Sequence, residues 1–487
     1  MHGVPWLAAR ARGRASHPAL EIADLTLSYA ELERRAHVTA AGLCAAGLGA
    51  GDVVAALLPS GAPFVELLHG AALCGTPLLP LNLRLTPREL GHALRDAGVR
   101  LLVHGGGALA EQARAAAGEA GGTPTLEAAQ GLPERPTKTA AAPPSPEALL
   151  AVLFTSGTTG LPKGAGLSHG NFLWSALASA VHLGMQPGDR WLACMPLFHV
   201  GGLSILLRSA LYGNTVVIQP RFDPAAVNRA FDRGGITHAS LVTTMLSRVL
   251  DERGARRAPP QLRCILLGGG PAPDSLLERA RELGFPIAPT YGLTEATSQV
   301  ATRAPGDGCV GLRPLVCNQI RIADGHDRDL PDGEPGELLV RGPTVMREYV
   351  NRPEETARVL RGGWLHTGDV AVRAGDGSLE ILERRSDLII SGGENVYPSE
   401  VEQVLLAHPT VAEAAVTGID DPDFGQRAAA WLVPRAGAKP DPEQLRAHCR
   451  EHLAAYKVPV EFRTVSTLPR NAAGKLLRRQ LTRAPAD

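Results

Sequence analysis

Short apolar runs alternate with longer stretches of mixed polar and apolar residues through most of the chain. Before residue 105 the apolar runs lie at 52–58, 76–81 and 101–104, and helical patterns fill the intervals. Four similar runs follow at 190–195, 215–219, 238–242 and 263–267. Strands that alternate with helices predict a mostly parallel sheet flanked by helices, so we expect an α/β fold.

Two segments depart from this alternation. Residues 105–147 are rich in Ala, Gly, Pro and Glu and are only weakly periodic, which predicts a variable surface segment. After residue 305, turns such as 332–336 separate short strands at 319–322, 336–340 and 378–382. Short strands divided by turns predict a small antiparallel β-barrel.

The pattern changes again at the charged run 384–387. Helices near 398–407 and 441–453 follow it, which indicates a small α+β domain. A chain of 487 residues is too long for one core, so more than one domain is expected. We predict a large N-terminal domain of flanked sheets at 1–383 with a barrel-like subdomain at 305–383, a hinge at 384–387, and a small C-terminal domain at 388–487.

Composition narrows the class of function. The formal net charge is 0, which argues against a dedicated nucleic-acid or acidic-membrane binder. The seven cysteines include no Cys-x-x-Cys pair, which indicates reduced thiols in a cytoplasm rather than a disulfide framework. No apolar run approaches the ~18 residues of a membrane span. The composition therefore favours a cytoplasmic protein without integral membrane contact.

The most informative stretch follows the apolar run 148–154. It contains glycines, hydroxyl side chains and one lysine, namely Thr155, Ser156, Gly157, Thr158, Thr159, Gly160 and Lys163. Glycines let the backbone close around a tetrahedral anion, hydroxyls donate to its oxygens, and the ammonium supplies charge. We therefore expect a polyphosphate here. A Walker A loop is excluded because Gly164, and not Ser or Thr, follows Lys163.

Further groups lie in the middle of the chain. His199 precedes two glycines at a strand end, a position that suits a substrate carboxylate but is also typical of an ordinary turn. Tyr291 offers an aromatic face for adenine, and Glu295 offers a carboxylate for Mg²⁺, which prefers carboxylate and phosphate oxygens together. A shelf for a flat ring is predicted at Gly268, Gly269 and Gly270.

The last third of the chain supplies the remaining candidates. Asp369 follows a glycine and suits two ribose hydroxyls, and Arg384 opens the charged run at the domain boundary. A glycine turn before the helix near 398 contains Gly392, Gly393 and Asn395. Lys475 lies on a flexible turn close to the C-terminus.

In this order and at these separations, the segments resemble the adenylate-forming superfamily of acyl-CoA synthetases, luciferases and peptide-synthetase adenylation domains. The resemblance covers essentially the whole chain and implies an N-terminal adenylation domain and a mobile C-terminal domain. It assigns the β- and γ-phosphates to 155–163, Mg²⁺ to Glu295, the ribose to Asp369 and Arg384, and the bridge between acyl carboxylate and phosphate to Lys475. Other implied ATP contacts are Gly268, Gly269, Gly270, Tyr291, Gly292 and Thr294.

Roles in the reaction are also implied by this resemblance. The catalytic set is Thr155, Lys163, His199, Glu295 and Lys475. Rotation about the hinge exchanges Lys475 for the loop that faces CoA. The CoA contacts implied there are Gly392, Gly393 and Asn395.

Four segments narrow the resemblance within this superfamily. Their sequences resemble those of the 2-succinylbenzoate:CoA ligases of menaquinone synthesis, and they lie at 189–199, 263–273, 383–395 and 468–472. Such enzymes activate one carboxylate of an acid that carries a second, aromatic carboxylate. Arg208 interrupts an otherwise apolar or small-residue stretch at 201–212, and a buried guanidinium is costly without an anion. We expect Arg208 to face that second carboxylate; contact with solvent or with a protein carboxylate is the alternative. Other substrate candidates are His199, Thr290, Thr297 and Ser298.

Two other functions fit the same motifs. A general aryl- or medium-chain acyl-CoA synthetase would share the mechanism and use a different acid. A non-catalytic homologue that only binds nucleotide is disfavoured because Lys475, Glu295 and Asp369 are intact. The expected ligands are a small carboxylic acid, ATP, Mg²⁺ and CoA as co-substrate. We expect no nucleic-acid partner, and a homodimer stays open.

Overall fold

A nine-stranded sheet forms one half of the N-terminal part, in a computed structural model that describes residues 6–128, 145–156, 162–270, 272–308, 311–383, 388–469 and 478–481. Its order is β15-β14-β13-β12-β11-β9-β10-β1-β2, parallel from β13 to β1 and antiparallel at both edges. The strands are β1 Pro18–Ile22, β2 Leu25–Ser28, β9 Arg190–Ala193, β10 Thr215–Ile218, β11 His238–Val242, β12 Cys264–Gly268, β13 Ile287–Tyr291, β14 Ala301–Thr302 and β15 Arg313–Pro314.

A seven-stranded sheet forms the other half, in the order β18-β8-β7-β4-β3-β5-β6. It is parallel from β7 to β6, whereas β8 and β18 are antiparallel to their neighbours. The strands are β3 Val53–Leu57, β4 Leu78–Pro80, β5 Val99–His104, β6 Thr125–Glu127, β7 Leu149–Ser156, β8 Pro162–Ser168 and β18 Glu348–Tyr349. The prediction of a mostly parallel α/β fold is confirmed.

Helices cover both faces of both sheets. They are α1 Trp6–Gly13, α2 Tyr29–Ala45, α3 Ala62–Cys74, α4 Pro87–Asp96, α5 Ala108–Glu119, α6 His169–Leu183, α7 Val200–Tyr212, α8 Pro224–Arg233, α9 Thr243–Arg253, α10 Asp274–Glu282 and α11 Pro353–Val359. Their ends carry signals that are readable in the sequence. Thr86 and Glu89 form a capping box at the start of α4, and α7 ends at Gly213 with φ 83°.

Alternation along the strands divides the apolar side chains between layers. On β3, Val54 and Ala56 face a core that α2, α3, α6 and α7 share between the two sheets. The alternate residues Val53, Ala55 and Leu57 pack against α4 and α5 on the outer face. Helices α8, α9 and α10 cover the outer face of the nine-stranded sheet in the same way. The result is five layers, α/β/α/β/α, in which both sheets are buried on both faces because successive strand residues point to opposite faces.

The segment 105–147, predicted as a variable surface segment, begins with a regular helix and strand. Helix α5 and strand β6 occupy residues 108–127, and α5 buries Ala110, Ala113, Ala116 and Ala117. Alanines give a weak hydrophobic periodicity although they allow close helix packing, so the pattern was hard to read. Residues 129–144 lie outside the described part of the chain.

The region from 315 to 383 contains the antiparallel strands that the sequence predicts. They are β16 Gln319–Ala323, β17 Gly336–Arg341, β19 Leu360–Arg361, β20 Trp364–Arg373 and β21 Leu379–Glu383. They pair in the order β16-β17-β20-β19, and β21 also pairs with the long strand β20. Asp369 therefore lies in the middle of β20, the strand that pairs with β17, β19 and β21.

The C-terminal domain is a five-stranded sheet with helices on it. Its order is β23-β22-β25-β24, with β26 parallel to β25. Its elements are β22 Ile389–Ser391, β23 Glu394–Val396, α12 Pro398–Leu406, β24 Val411–Asp421, β25 Gly425–Pro434, α13 Pro442–His452, β26 Glu461–Thr464 and α14 Arg478–Leu481. Within the described ranges, no helix combines the length and apolar character needed to cross a bilayer.

Two helical glycines test the packing between layers. Gly70 on α3 faces Thr39 of α2, and a Cβ atom built there would lie 2.6 Å from the Thr39 Cβ atom. Gly118 on α5 has open space around it. Gly118→Ala should stabilise the protein by about 0.5–1 kcal/mol because alanine restricts the unfolded chain.

Gly70→Ala should instead destabilise the protein by about 1–3 kcal/mol, since two helices must separate. Urea denaturation of both variants against the parent measures the difference. A stabilising Gly70→Ala would contradict the close contact of α2 and α3.

Candidate active site between the two domains

A crevice of about 200 Å³ lies at the carboxyl ends of β11, β12 and β13, where the C-terminal domain covers them. Ligands of open α/β sheets bind at this edge. The crevice is lined by many of the site residues that the sequence predicts. They are Thr155, His199, Gly268, Gly269, Thr290, Gly292, Thr294, Glu295, Ser298, Asp369, Gly393 and Asn395.

Other predicted residues lie beside the crevice or beyond the described chain. Lys163, Arg208, Gly270, Tyr291, Thr297 and Gly392 surround it without lining it, and Ser156 is the last residue of β7. Residues Gly157, Thr158, Thr159, Gly160, Arg384 and Lys475 and the predicted hinge 384–387 fall outside the described residues.

The predicted phosphate loop connects two paired strands. The sequence predicts a strand that enters a loop, and the structure adds β8, which returns antiparallel to β7. In this register Thr155 lies opposite Lys163. The hydroxyl and the ammonium are therefore brought to the same end of a hairpin, on either side of the Ser/Thr/Gly-rich turn.

Lys163 is buried and forms an ion pair with Glu355 of α11. Its ammonium also lies 5.5 Å from the centre of the Tyr349 ring, within the range of a cation–π contact. Burial raises the pKa of Glu355, but the hydrogen bond and charge of Lys163 and the nearby arginines outweigh it and lower that pKa. No local sequence pattern indicates this partner, because Glu355 is distant from Lys163 along the chain.

Glu295 is held at the floor of the crevice. It is 5% exposed, and its Oε1 atom accepts from the Tyr349 hydroxyl at 2.7 Å and from Thr155 Oγ1 at 3.3 Å. No cationic side chain among the described residues pairs with it. A buried carboxylate next to hydroxyls and without a cation is suited to a hard metal ion.

The segment after Glu295 has a strained backbone. Thr297 and Ser298 adopt φ of 53° and 89°, which non-glycine residues rarely do. Thr297 is fully buried and its hydroxyl donates to the Thr344 carbonyl, so its side chain faces away from the crevice. Ser298 lines the crevice. Its carbonyl would lie 1.5 Å from a Cβ atom on residue 292, which explains the glycine there.

Arg208 of α7 lies behind Ser298. Its Nη2 atom is 3.4 Å from the Ser298 hydroxyl, and its guanidinium carbon is 6.0 Å from the centre of the Trp191 ring. The residue is 2% exposed, its Nε atom has no hydrogen-bond partner, and no carboxylate pairs with it in the described part of the chain. Burial lowers the pKa of the Arg208 guanidinium from its usual value. A buried guanidinium in this state requires an anion to offset its desolvation.

Tyr291 and Asp369 form one unit. The Tyr291 hydroxyl donates to Asp369 Oδ2 at 2.6 Å, and both side chains are buried. Asp369 lines the crevice, whereas Tyr291 and Gly270 line an adjacent space of about 750 Å³. The two residues predicted to enclose adenine thus share that adjacent space.

The C-terminal domain enters the crevice through a tight hairpin. Ser391 pairs with Glu394, and Gly392 and Gly393 between them have φ of 59° and 85°. A two-residue turn with both φ positive is the type I′ turn that glycines favour. A Cβ atom on residue 393 would lie 3.3 Å from Val242, so the turn packs closely against the end of β11.

Glu394 joins this hairpin to the N-terminal domain. Its Oε2 atom is 3.0 Å from His199 Nε2 and 3.3 Å from the amide nitrogen of Asn82, and its Oε1 atom is 3.4 Å from Arg84. Burial raises the pKa of Glu394, but His199 and Arg84 outweigh it and lower that pKa. The predicted carboxylate-orienting histidine is therefore occupied by a protein carboxylate in this arrangement.

A second ionic contact supports the same interface. Lys457 lies 2.7 Å from Glu400 of its own domain and 2.7 Å from Glu89 of α4. Burial lowers the pKa of Lys457, but the two carboxylates outweigh it and raise that pKa. Burial also raises the pKa of Glu400, which the attraction of Lys457 only partly offsets. Sequence reasoning missed this cluster, since its members are far apart along the chain.

The crevice continues into a larger channel between the domains. This channel has a volume of about 780 Å³ and shares Met195, His199, Val242 and Gly393 with the crevice. Its walls include three arginines and an exposed aromatic ring that the sequence did not single out. They are Arg84, Arg221, Arg248 and Phe424.

Comparisons with known proteins agree over the whole chain. Residues 7–350 match the AMP-binding enzyme family and residues 400–475 match the AMP-binding enzyme C-terminal domain. The chain is 44% identical over 489 residues to a 2-succinylbenzoate–CoA ligase of Geobacillus kaustophilus (strain HTA426), covering 98% of this chain and 97% of that relative.

Two solved structures of the o-succinylbenzoate CoA synthetase of Bacillus subtilis are also similar, both at 39% identity over 99% of each chain. A double mutant bound with its product analogue gives a TM-score of 0.93. The complex with the acyl-adenylate intermediate gives 0.75. Because identity and coverage are equal, the difference reflects how the parts are arranged. The present arrangement matches the product-analogue complex more closely.

The Lys457 cluster gives a direct test of the interface. Lys457→Met leaves Glu89 and Glu400 facing each other in a buried space with no cation. The variant should lose about 3–5 kcal/mol of stability, as when one partner of a buried ion pair is removed. Urea denaturation followed by tryptophan fluorescence measures the loss.

Lys439→Met is the matched control, because Lys439 is exposed and makes none of these contacts. It should leave the unfolding midpoint within experimental error. Equal midpoints for Lys457→Met and Lys439→Met would contradict the ionic cluster.

Proposed function

This chain belongs to the family of AMP-binding enzymes, and we propose that it is an ATP-dependent ligase that joins 2-succinylbenzoate to CoA in menaquinone biosynthesis. We base the choice of this acid on the buried guanidinium of Arg208, which lies behind Ser298. This acid has two carboxylates, of which one reacts and the other must be accommodated. A buried cation that no carboxylate of the described residues pairs with is what the second carboxylate requires.

In the first step the succinyl carboxylate attacks the α-phosphorus of ATP. A carbon–oxygen–phosphorus linkage forms, and pyrophosphate leaves. Two anions must approach each other, so the site must supply positive charge and alignment. Thr155 and Lys163, at one end of the hairpin, are proposed to hold the β- and γ-phosphates. A phosphate would then replace Glu355 as the partner of Lys163.

The donor set around Glu295 fits Mg²⁺. The carboxylate is buried, lines the crevice, and has hydroxyl neighbours but no cationic partner among the described residues. When bound, Mg²⁺ neutralises charge on phosphate oxygens. Tyr349 positions this group, because its hydroxyl donates to Glu295 while its ring lies beneath the Lys163 ammonium.

The nucleoside contacts follow from the same geometry. We propose that Asp369 binds the ribose hydroxyls, oriented by the hydroxyl of Tyr291. Adenine is proposed to lie between Tyr291 and the glycine shelf, whose residue Gly270 lines the same adjacent space. The proposed partners from outside the described residues are Arg384 for the ribose and Lys475 for the reacting carboxylate.

In the second step the CoA sulfur attacks the acyl carbonyl carbon. The bond to the AMP oxygen breaks, and the acyl thioester and AMP are released. The channel of about 780 Å³ reaches His199 and Gly393, and we propose that it receives the pantetheine arm. We propose that Arg84, Arg221 and Arg248 attract the phosphates of CoA at this channel.

The docked position of the C-terminal domain supports this assignment. Glu394 binds His199 and thereby occupies a group that the acid would use during adenylation. The structure is also more similar to the relative bound with its product analogue, at a TM-score of 0.93, than to the acyl-adenylate complex, at 0.75. We therefore propose that the arrangement is the thioester-forming one, with Gly392, Gly393 and Asn395 at the CoA side.

The proposal includes a cytoplasmic location, where ATP and CoA are available as co-substrates. It includes no nucleic-acid partner, since the net charge is 0. A homodimer is not required, because one chain supplies every residue named for the reaction.

The choice of acid is tested by Arg208→Ala with two substrates. One is 2-succinylbenzoate, and the other is 4-oxo-4-phenylbutanoate, which lacks only the aromatic carboxylate. The variant should lose about 10²–10³-fold in kcat/KM for 2-succinylbenzoate, the loss expected when one member of a buried charge pair is removed. It should use 4-oxo-4-phenylbutanoate as well as the parent does, or better.

A parallel fall for both acids would make Arg208 structural and favour a general aryl- or medium-chain acyl-CoA synthetase. Arg208→Gln retains hydrogen-bonding groups without the charge. If it follows Arg208→Ala for 2-succinylbenzoate while keeping the unfolding midpoint of the parent, misfolding is excluded as the cause.

Tyr349→Phe tests the positioning of Glu295. The variant keeps the ring beneath Lys163 and removes only the hydroxyl that donates to the carboxylate. The affinity for Mn²⁺ in the presence of ATP, measured by electron paramagnetic resonance, should fall about tenfold or more, the usual effect of losing a group that orients a metal ligand. Unchanged Mn²⁺ affinity would contradict this role, whatever happens to the turnover rate.

A further inference from the structure

The last turn of α13 carries a group of metal-binding side chains that the proposed reaction does not use. A ring nitrogen of His448, a ring nitrogen of His452 and a carboxylate oxygen of Glu451 lie within 4.8 Å of one another. The spacing is i, i+3 and i+4, so the helix itself places the three residues on one face. None of them lines the crevice or the channel.

Hydrogen bonds fix which nitrogen of each imidazole is available. His448 Nε2 is 2.9 Å from the Val404 carbonyl of α12, and His452 Nδ1 is 2.8 Å from the His448 carbonyl. A carbonyl can only accept, so both of these nitrogens carry the proton. The lone pairs are therefore on His448 Nδ1 and His452 Nε2. Metal-binding histidines have this arrangement, in which the other ring N–H donates to a backbone carbonyl or carboxylate.

The surroundings also favour a cation. His452 is the last residue of α13, and the carboxyl end of a helix attracts positive charge. The ring of His408 lies 5.2 Å from that of His448.

We propose that His448, Glu451 and His452 form a binding site for a borderline divalent cation, with Zn²⁺ as the representative ion. Two imidazoles and one carboxylate suit Zn²⁺ and similar first-row ions, whereas Mg²⁺ prefers oxygen ligands alone. Ligands of a tetrahedral Zn²⁺ lie roughly 3.4 Å apart, given metal–nitrogen bonds of about 2.1 Å. The exposed Glu451 side chain can rotate towards the cation while the two imidazoles keep their hydrogen bonds. Water completes the coordination.

Bound Zn²⁺ would stabilise the end of α13 and the contact of His448 with α12. This effect is local to the C-terminal domain and does not depend on the proposed reaction. Because the cation binds the folded chain, it should raise the unfolding temperature, with the logarithm of its concentration once that exceeds the dissociation constant.

Isothermal calorimetry of the full chain with ZnCl₂ tests the proposal. The parent should bind Zn²⁺ saturably, and His452→Gln should weaken that binding about tenfold or more. His452→Gln is the preferred variant because the side chain lies at the helix end. MgCl₂ at the same concentrations should give no saturable heat that depends on His452.

His37→Gln is the matched control. His37 lies on α2 at 3.9 Å from Glu33, so it offers one imidazole and one carboxylate without the second imidazole. This variant should bind Zn²⁺ as the parent does. Zinc should raise the unfolding temperature of the parent and of His37→Gln, but not that of His452→Gln.

Equal Zn²⁺ affinity in the parent and in His452→Gln would overturn the site and assign any binding to other groups, such as the cysteine thiols. Loss of binding in His37→Gln as well would overturn it too. If His452→Gln unfolds below room temperature, Glu451→Gln replaces it, because Glu451 is exposed and its substitution does not alter the helix end.

Discussion

Ionic contacts across the domain interface are the constraint on which the rest of the site depends. The C-terminal domain supplies one wall of the crevice and of the channel. Glu394 joins His199, Asn82 and Arg84 on one side, and Lys457 joins Glu89 on the other. Glu394 and Lys457 are buried, so their contacts are costly to leave without a partner. These contacts therefore stabilise the docked arrangement of the two domains and still allow the C-terminal domain to separate.

The same chemistry explains how the domain can leave. Lys457 keeps Glu400 of its own domain when it separates from Glu89, so departure exposes no unpaired lysine. In the proposed reaction, His199 is released from Glu394 at the same moment and becomes available to the acid. On this account the interface and the acid compete for one histidine. Adenylation and thioester formation can then alternate, because neither arrangement of the C-terminal domain is too stable to be left.

Much of the fold could be read from the sequence, because buried strands and capped helices are local signals. The run at 238–242 is β11, and the helices expected near 398–407 and 441–453 are α12 and α13. Helix α5 was missed because alanine gives little hydrophobic contrast. In the site, glycine and hydroxyl motifs indicated the crevice. Glu355, Tyr349 and Lys457 were not found, since their roles arise from partners far away in the chain and from charge pairing that no local pattern encodes.

The central claim is that the docked arrangement serves thioester formation, and Glu89→Gln tests it most directly. Glutamine keeps the capping hydrogen bond with Thr86 but removes the negative charge that faces Lys457. The measurement is the single-turnover rate of 2-succinylbenzoyl-CoA formation from preformed adenylate and CoA, compared with the rate of adenylate formation from ATP. We predict that the first rate falls about tenfold or more while the second is unchanged. An unchanged thioester rate, or an equal fall in both rates, would contradict the account.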